Sequence, residues 1–423
     1  MSSATSAQSM VRPGEAVDLF YYDHETSKKQ VWPTTVNTKY IQQFNNLTGG
    51  SSVFTIPPNN GLQDVIISLQ INALPAGATT TGLALNRGWG YQAIKQVSFR
   101  YGGSSQYFLT GDQILQNALR AQPSRETASD LLTLGGAAAL EDGSVNQLSA
   151  GAQYANVVLV LPHATPSGVG KAHPFPSDCL TQQVQITVEL FPPSAIFSVL
   201  AADAGAVTVP TAYSAANFQV QQVLFNNLGD ALARRVDLAE NAYAFPAEFV
   251  QQKQLIQLAN TASAQSVVLT GFRSGEVKSI QMWLSRASDV TGAIKNPWNW
   301  VLPTAVEMTY AGDIYARFDG QSSTLWNLIN GNKYPGAQSI ALGDGGASFT
   351  NASQVSTWVE LPFAQTFLDE DSHHTLVHGK PITNGIVNLL VTTPSAQADW
   401  ILSISYVYNT TVLFSQGTCD YIF

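Results

Sequence analysis

The sequence predicts an all-β protein built from two similar domains in tandem, with a few short inserted helices. Short runs rich in valine, isoleucine, phenylalanine, tyrosine and threonine lie between clusters of glycine, proline, asparagine and serine, which is typical of strands and turns. Helical patterns are rare and short. The order of strands, turns and helix in the first half occurs again in the second half. These three observations together predict the fold class.

The predicted strands are spread over the whole chain. Several of them alternate apolar and polar residues, as expected for a sheet with one face in the core and one face in water. The predicted strands are residues 52–56, 65–71, 94–101, 157–161, 183–191, 266–269, 277–284, 305–310, 358–361, 386–392 and 400–408.

Three segments have helical patterns, residues 112–121, 230–241 and 322–330. The first places apolar side chains, including Ile114 and Leu115, on one face of a helix. The third begins with serines, which can cap a helix, and is followed by a glycine, which can end one. Because these helices are short and few, they are expected as insertions in a β fold.

Short matching segments occur in the same order in both halves of the chain. Each match alone is weak, because three similar residues arise easily by chance, and their common order is the evidence for a duplication. The matched segments are residues 52–54 with 266–268, 99–103 with 308–312, 160–162 with 360–362, and a long final strand in each half, 183–191 with 400–408.

The repeat length sets the expected domain organisation. A unit of about 200 residues is longer than the repeats of solenoids and propellers. It has room for about eight strands, the number in a jelly roll. We therefore expect two tandem eight-stranded jelly rolls, at residues 35–210 and 211–423, after an N-terminal arm at residues 1–34.

Composition and charge exclude several classes of protein. The formal net charge is −9, which argues against a dedicated nucleic-acid-binding protein. The two cysteines, Cys179 and Cys419, are too few for a disulfide framework or a four-cysteine zinc site. We expect them as free buried thiols, and a disulfide between them remains an alternative. The N-terminus shows no signal-peptide pattern.

Two sequence stretches and the duplication together resemble a known family. Residues 88–114, GWGYQAIKQVSFRYGGSSQYFLTGDQI, combine an apolar strand, a Gly-Gly turn and a helix, and residues 53–69, VFTIPPNNGLQDVIISL, form a strand pair. A Leu-Pro pair also follows a strand in each half, at residues 161–162 and 361–362. This pattern resembles the double jelly-roll major capsid proteins of double-stranded DNA viruses, the lineage of tectiviruses, adenoviruses and nucleocytoplasmic large DNA viruses, over residues 35–423.

The resemblance implies a structural role without catalysis and without a cofactor. It implies a major capsid protein that trimerises into a pseudo-hexameric capsomer and tiles an icosahedral shell in the virion, after assembly inside the host cell. The implied partners are copies of itself in the trimer and in neighbouring capsomers, minor capsid or penton proteins, and an internal membrane. No direct sequence-specific nucleic-acid binding is implied. Only 12% of the residues are charged, which fits a protein that hides much surface in contacts.

The candidate assembly residues are aromatic or aliphatic side chains in the arm and in two helices. The arm is interpreted as a segment that packs under the shell, with a strand of the first jelly roll plus a frayed tail as the alternative. The candidates are Phe20, Tyr21, Tyr22 and Trp32 in the arm, Ile114 and Leu115 in the first helix, and Leu325 and Trp326 in the third.

One histidine-rich segment has weak metal-binding character. His374 and His378 are four residues apart and would share a helix face, with Asp371 as a nearby carboxylate. However, Thr375 stands where the metalloprotease pattern requires glutamate, and glycine and proline follow. We therefore favour a polar loop here and expect no metal site.

Two other functions remain open from the residues alone. A carbohydrate-active or carbohydrate-binding β-sandwich would use exposed aromatic rings, and Trp298 and Trp300 could stack on sugars, although core or interface packing is favoured for them. That function predicts a monomer with a carboxylate pair in a cleft. A viral spike or fibre protein is a third hypothesis, but elongated repeats are not found. The tandem duplication and the absence of a signal-peptide pattern favour the capsid hypothesis.

Overall fold

Antiparallel strands make up most of the described structure, as the sequence predicts. None of the helices among the described residues is long and apolar enough to span a membrane. The computed structural model describes residues 34–56, 61–72, 83–85, 88–102, 106–120, 125–136, 152–159, 175, 177, 180–199, 209–225, 236, 242–261, 263–292, 295, 298, 300–301, 303–318, 359–363, 380–382, 386–396 and 399–422.

The first half of the chain forms two facing sheets, here called the first unit. Its strands are β1 (Thr34–Gln43), β2 (Gly50–Ile56), β3 (Gly61–Asn72), β4 (Leu83–Ala84), β5 (Ile94–Tyr101), β6 (Gln106–Leu109), β7 (Ala152–Leu159), β8 (Val184–Leu190), β9 (Ser198–Val199) and β10 (Ala215–Phe225). One sheet has the order β1-β10-β3-β7 and the other the order β2-β8-β5-β6. The short strands β4 and β9 pair with each other.

The core of the first unit lies between these two sheets. Alternate residues of β3, including Ile67, point inward and are fully buried, because successive side chains of a strand point to opposite faces. Phe54 of β2 stacks on Phe218 of β10 with ring centroids 4.1 Å apart. This contact joins one sheet to the other, and such an aromatic pair adds about 0.5–1.5 kcal/mol beyond the area it buries.

The second half forms another pair of sheets, here called the second unit. Its strands are β11 (Ala242–Val250), β12 (Gln254–Gln257), β13 (Gln265–Leu269), β14 (Glu276–Arg286), β15 (Ala305–Tyr310), β16 (Asp313–Phe318), β17 (Val359–Pro362), β18 (Lys380–Pro381), β19 (Val387–Thr392), β20 (Trp400–Ser415) and β21 (Thr418–Ile422). One sheet has the order β11-β20-β14-β17, with β12, β18 and β21 paired at its margins, and the other has the order β13-β19-β15-β16.

The two units have the same topology. When β11 and β12 are taken together as the first strand of the second unit, both units contain eight main strands, paired in the order 1-8-3-6 and 2-7-4-5. This arrangement is a jelly roll, so the predicted fold class of two tandem eight-stranded jelly rolls is confirmed. Three of the matched sequence segments lie on or next to equivalent strands: β2 with β13, β5 with β15, and β7 with β17.

The fourth match, between the final strands, is corrected by the pairing. The equivalent of β8 is β19, and the equivalent of the long strand β20 is β10. Strand β10 pairs with β1 and β3 of the first unit, although it follows the expected boundary at residues 210–211. The alanine- and glycine-rich composition before β10 is that of a connector, but the strand after it closes the first jelly roll.

Among the described residues, four short α-helices accompany the strands: α1 (Trp89–Ala93), α2 (Gly111–Arg120), α3 (Arg125–Leu134) and α4 (Ala287–Thr291). Helix α2 is the predicted helix at residues 112–121, shifted by one residue. A side chain at Gly111 would overlap the carbonyl oxygens of Tyr91 and Ile94, so glycine lets α2 begin directly against the end of α1. The predicted helix at 322–330 lies outside the described residues, as does the one at 230–241 except Val236.

Candidate assembly surfaces

The main contact between the two units is a buried junction formed by α2. Gln113 in the first turn of α2 is only 1% exposed. Its Nε2 group donates hydrogen bonds to the backbone oxygen of Gln251, just after β11, and to the Oγ atom of Ser405 in β20, both at 2.9 Å. Because an unpaired buried polar group is costly, these bonds fix the first unit against the second at a defined position.

An ion pair lies at the margin of the same junction. The carboxylate of Asp112 accepts a hydrogen bond from the Thr110 hydroxyl and forms a salt bridge with Lys253 of the second unit. Both charged side chains are mostly shielded from solvent. Such a pair is screened less by salt than one on the open surface, and it sets the register of α2 along the connection between β11 and β12.

Aromatic rings extend the junction beyond α2. Tyr107 of β6 packs edge-on against Phe249 of β11 with centroids 4.7 Å apart, and its hydroxyl oxygen accepts a hydrogen bond from the backbone N–H of Val250 at 3.1 Å. Tyr421 of β21 packs against the same Phe249 ring, and Arg273 covers it at 4.9 Å. Aromatic side chains of the second unit therefore pack against the β6 edge of the first unit.

A separate polar contact links the units through Lys295. Its Nζ atom donates to the backbone oxygen of Phe197 at 2.9 Å, and its backbone N–H donates to Ser198 Oγ at 2.8 Å. Partial burial lowers the pKa of Lys295 from its usual value. In addition, the Thr181 N–H donates to the Gly417 oxygen at 2.8 Å. The units are therefore joined along an extended contact.

The junction explains an unusual burial pattern in the second unit. Residues 279–284 of β14 and residues 402–408 of β20 are all buried, with no alternation between buried and exposed positions. One face of this sheet packs in the core of the second jelly roll. The other face carries Ser279, Gln281, Ser403 and Ser405, all at most 2% exposed. Trp283 and Val407, which pair with Ser403 and Ser279, lie on the same face and are also buried. This outer face meets α2, so a sheet surface of mixed polar and apolar side chains is buried between the units.

The fold of this chain is similar to solved structures of viral capsid proteins. The crystal structure of VP54 of PBCV-1, fitted into a reconstruction of the virophage Sputnik, has a TM-score of 0.63 and 12% identity to this chain, over 93% of this chain and 98% of VP54. The Faustovirus major capsid protein has a TM-score of 0.59 and 11% identity, over 93% and 92%. The mavirus major capsid protein has a TM-score of 0.51 and 12% identity, over 92% and 90%.

The chain has the double jelly-roll fold of these capsid proteins. No protein-family model and no curated protein matches the sequence. The similarity to these capsid proteins is therefore seen in the structure and in the short matching segments of the two halves of the chain. The predicted resemblance is confirmed for the fold. Both units take part in the similarity, because nearly the whole double jelly roll is covered in each comparison.

The structure describes only two of the predicted assembly residues. Ile114 and Leu115 of α2 are 2% and 0% exposed within the single chain. This corrects their assignment, because the apolar face of α2 packs on its own chain and offers no surface to a second one. The predicted residues outside the described parts of the double jelly roll are Phe20, Tyr21, Tyr22, Trp32, Leu325, Trp326, Asp371, His374 and His378.

Other chemistry has little support among the described residues. They contain no cluster of three metal-ligating side chains. Trp298 and Trp300 are 1% and 2% exposed, and Trp300 packs against Trp283 with centroids 5.6 Å apart. They are core residues and are not available for stacking on sugars. Cys419 is a buried free thiol, while Cys179 lies outside the described residues.

Sequence reasoning missed the polar residues of the junction. Gln113 and Asp112 lie on the polar side of a predicted amphipathic helix, where solvent exposure is the ordinary expectation. One signal was available: residues 400–408 form an almost continuous apolar run, which is typical of a strand buried on both faces. That run indicated that both faces of the strand are buried. It did not indicate that α2 covers the outer face.

Proposed function

We propose that this chain is a viral major capsid protein, a structural subunit that forms trimers and tiles the icosahedral shell of a double-stranded DNA virus. The observation that carries the proposal is the similarity of both units and their connection to major capsid proteins over more than nine-tenths of the chain. Its support is structural, because sequence identity is only 11–12%.

The buried junction supports assembly into a six-part block. Three chains contribute six similar jelly rolls, and closure with three-fold symmetry gives a ring with a nearly hexagonal outline. A hexagonal block can tile a shell with few distinct contacts. For this purpose the angle between the two units of a chain must be fixed, and the contacts of Gln113, Tyr107 and Lys295 supply that constraint.

The role defines the partners and location of the protein. We infer that it resides in the virion shell after assembly inside the host cell. Its partners are other copies in the capsomer and in neighbouring capsomers, minor capsid or penton proteins, and an internal membrane. The role involves no catalytic step, no cofactor and no sequence-specific contact with nucleic acid, and a net charge of −9 agrees with a shell that does not hold the genome directly.

Light scattering after gel filtration tests this proposal. A subunit of 45.4 kDa gives a trimer of 3 × 45.4 kDa, or about 136 kDa. We expect this mass at micromolar concentration and unchanged across a tenfold dilution. A monomer of 45.4 kDa over the same range would contradict the proposal.

A further inference from the structure

The polar side of α2 carries more hydrogen-bonding groups than the direct contacts across the junction use. Gln116 and Asn117 follow Gln113 by three and four residues, so they lie on the same side of the helix. Their side chains are 1% and 9% exposed. Among the described residues, neither Oε1 nor Nε2 of Gln116 has a hydrogen-bond partner, and the same holds for Oδ1 of Asn117.

A second amide in the same situation lies on the second unit. Gln281 of β14 is 1% exposed, and both polar atoms of its side chain lack a hydrogen-bond partner within the described parts of the chain. Gln281 pairs across the sheet with Ser405, whose Oγ accepts the hydrogen bond from Gln113. Because such paired side chains have Cβ atoms about 4.5–5.5 Å apart, Gln281 and Gln116 lie beside the same hydrogen bond, one on each unit.

The mixture of donors and acceptors decides which ligand these groups fit. The Nε2 groups of Gln116 and Gln281 donate, while their Oε1 atoms and Asn117 Oδ1 accept. A cation would satisfy only the oxygens and an anion only the N–H groups, whereas water both donates and accepts. A buried water makes about three hydrogen bonds, and these side chains supply that number. Two buried amides without any partner would be costly, so a bound water accounts for their burial.

We propose that an ordered water molecule bridges Gln116 and Gln281 in the junction between the two units. Gln113 and Tyr107 hold the units together by direct hydrogen bonds. The water extends this contact by one helical turn, where the two amides form no direct hydrogen bond with each other. A bridging water can replace a direct hydrogen bond at little cost. The site is internal to one chain, so it does not depend on the trimer proposed above.

The substitutions Gln116→Met and Gln281→Met test the site through the midpoint of urea denaturation. Methionine is similar in length to glutamine, but its thioether is only a weak acceptor and donates nothing. If water bridges the amides, each substitution takes hydrogen bonds away from that water, so the midpoint falls. If the amides have no partner at all, each substitution removes an unsatisfied buried group, so the midpoint rises. The direction of the shift therefore separates the two cases.

We expect a lower midpoint for both variants. The shift of the double variant should be smaller than the sum of the single shifts, because both amides bind one water. Gln185→Met is the matched control, because Gln185 is exposed on the outer side of β8, and its midpoint should not change. A higher or unchanged midpoint for either junction variant would overturn the proposal. Additive shifts would also overturn it, because the amides would then act separately.

A crystal structure of the unmodified chain keeps the inference testable if the variants do not fold. We expect one water oxygen within about 3.2 Å of a side-chain atom of Gln116 and of Gln281. A direct hydrogen bond between the two amides, or no solvent density between them, would overturn the proposal. Replacing potassium chloride with choline chloride should shift the urea midpoint equally in the unmodified protein and the variants. A larger shift in the unmodified protein would assign the site to a cation instead.

Discussion

Gln113→Ala should separate the contribution of the internal junction from that of the two cores. The substitution removes the two hydrogen bonds of 2.9 Å that Nε2 donates to the Gln251 oxygen and to Ser405 Oγ. It also removes two bonds of 3.2 Å that Oε1 accepts from Thr110 within the first unit. Each buried acceptor left without its donor costs about 1–3 kcal/mol. For the two acceptors together, the expected loss in free energy of unfolding is about 2–6 kcal/mol, even though the truncation removes no apolar core residue.

The assay is urea denaturation at a fixed protein concentration, followed by tryptophan fluorescence. A chain of two domains need not unfold in one step, so the measured quantity is the shift of each transition midpoint relative to the unmodified protein. Gln185→Ala is the matched control, because Gln185 is exposed on the outer side of β8. Its expected effect is within about 0.5 kcal/mol.

A double-mutant cycle assigns the effect to the Gln113–Ser405 hydrogen bond. Ser405 is fully buried, so Ser405→Ala is measured alone and together with Gln113→Ala. Residues in direct contact are expected to show a coupling energy of about 0.5–1.5 kcal/mol. If Gln113→Ala is no more destabilising than Gln185→Ala, or if the coupling is zero, the junction does not hold the units together as described.

Three further predictions concern the first jelly roll and the buried thiol. Phe218→Ala removes the stack on Phe54 and should lower the free energy of unfolding by roughly 3–5 kcal/mol in urea denaturation. Gly111→Ala should lower Tm, although alanine favours helices, because the added methyl overlaps backbone carbonyls; a higher Tm would contradict this packing. Burial raises the pKa of Cys419 to about 12, so in a Cys179→Ser variant Ellman's reagent should react at pH 8 only after unfolding.

The strands were predictable because most of them have one face in a core. Strand β5 and strand β15 have the bounds that the alternation predicts, residues 94–101 and 305–310. Strand β20 continues to Ser415, beyond the predicted end at residue 408. The polar residues 409–411 do not end the strand, because this part of β20 pairs with β11 and β21. The pairing with β11 joins segments that are distant in sequence, so it has no local sequence signal.

The domain boundary and the junction were harder to predict for a related reason. The composition before β10 indicates a linker, yet the strand after it returns to pair with β1, about 180 residues earlier in the chain. From the sequence, Gln113 is expected on the exposed face of an amphipathic helix. In the structure it is buried because the second unit covers it. In both cases the deciding contact is distant in sequence, so it depends on the tertiary fold.

Electron microscopy of the gel-filtered particle tests the central claim most directly. Class averages of negatively stained particles should show a ring of six lobes with three-fold symmetry, from a species of about 136 kDa, three times the 45.4 kDa subunit. Particles with two lobes and a mass of 45.4 kDa, unchanged at higher protein concentration, would contradict the claim that this double jelly roll assembles as a capsomer.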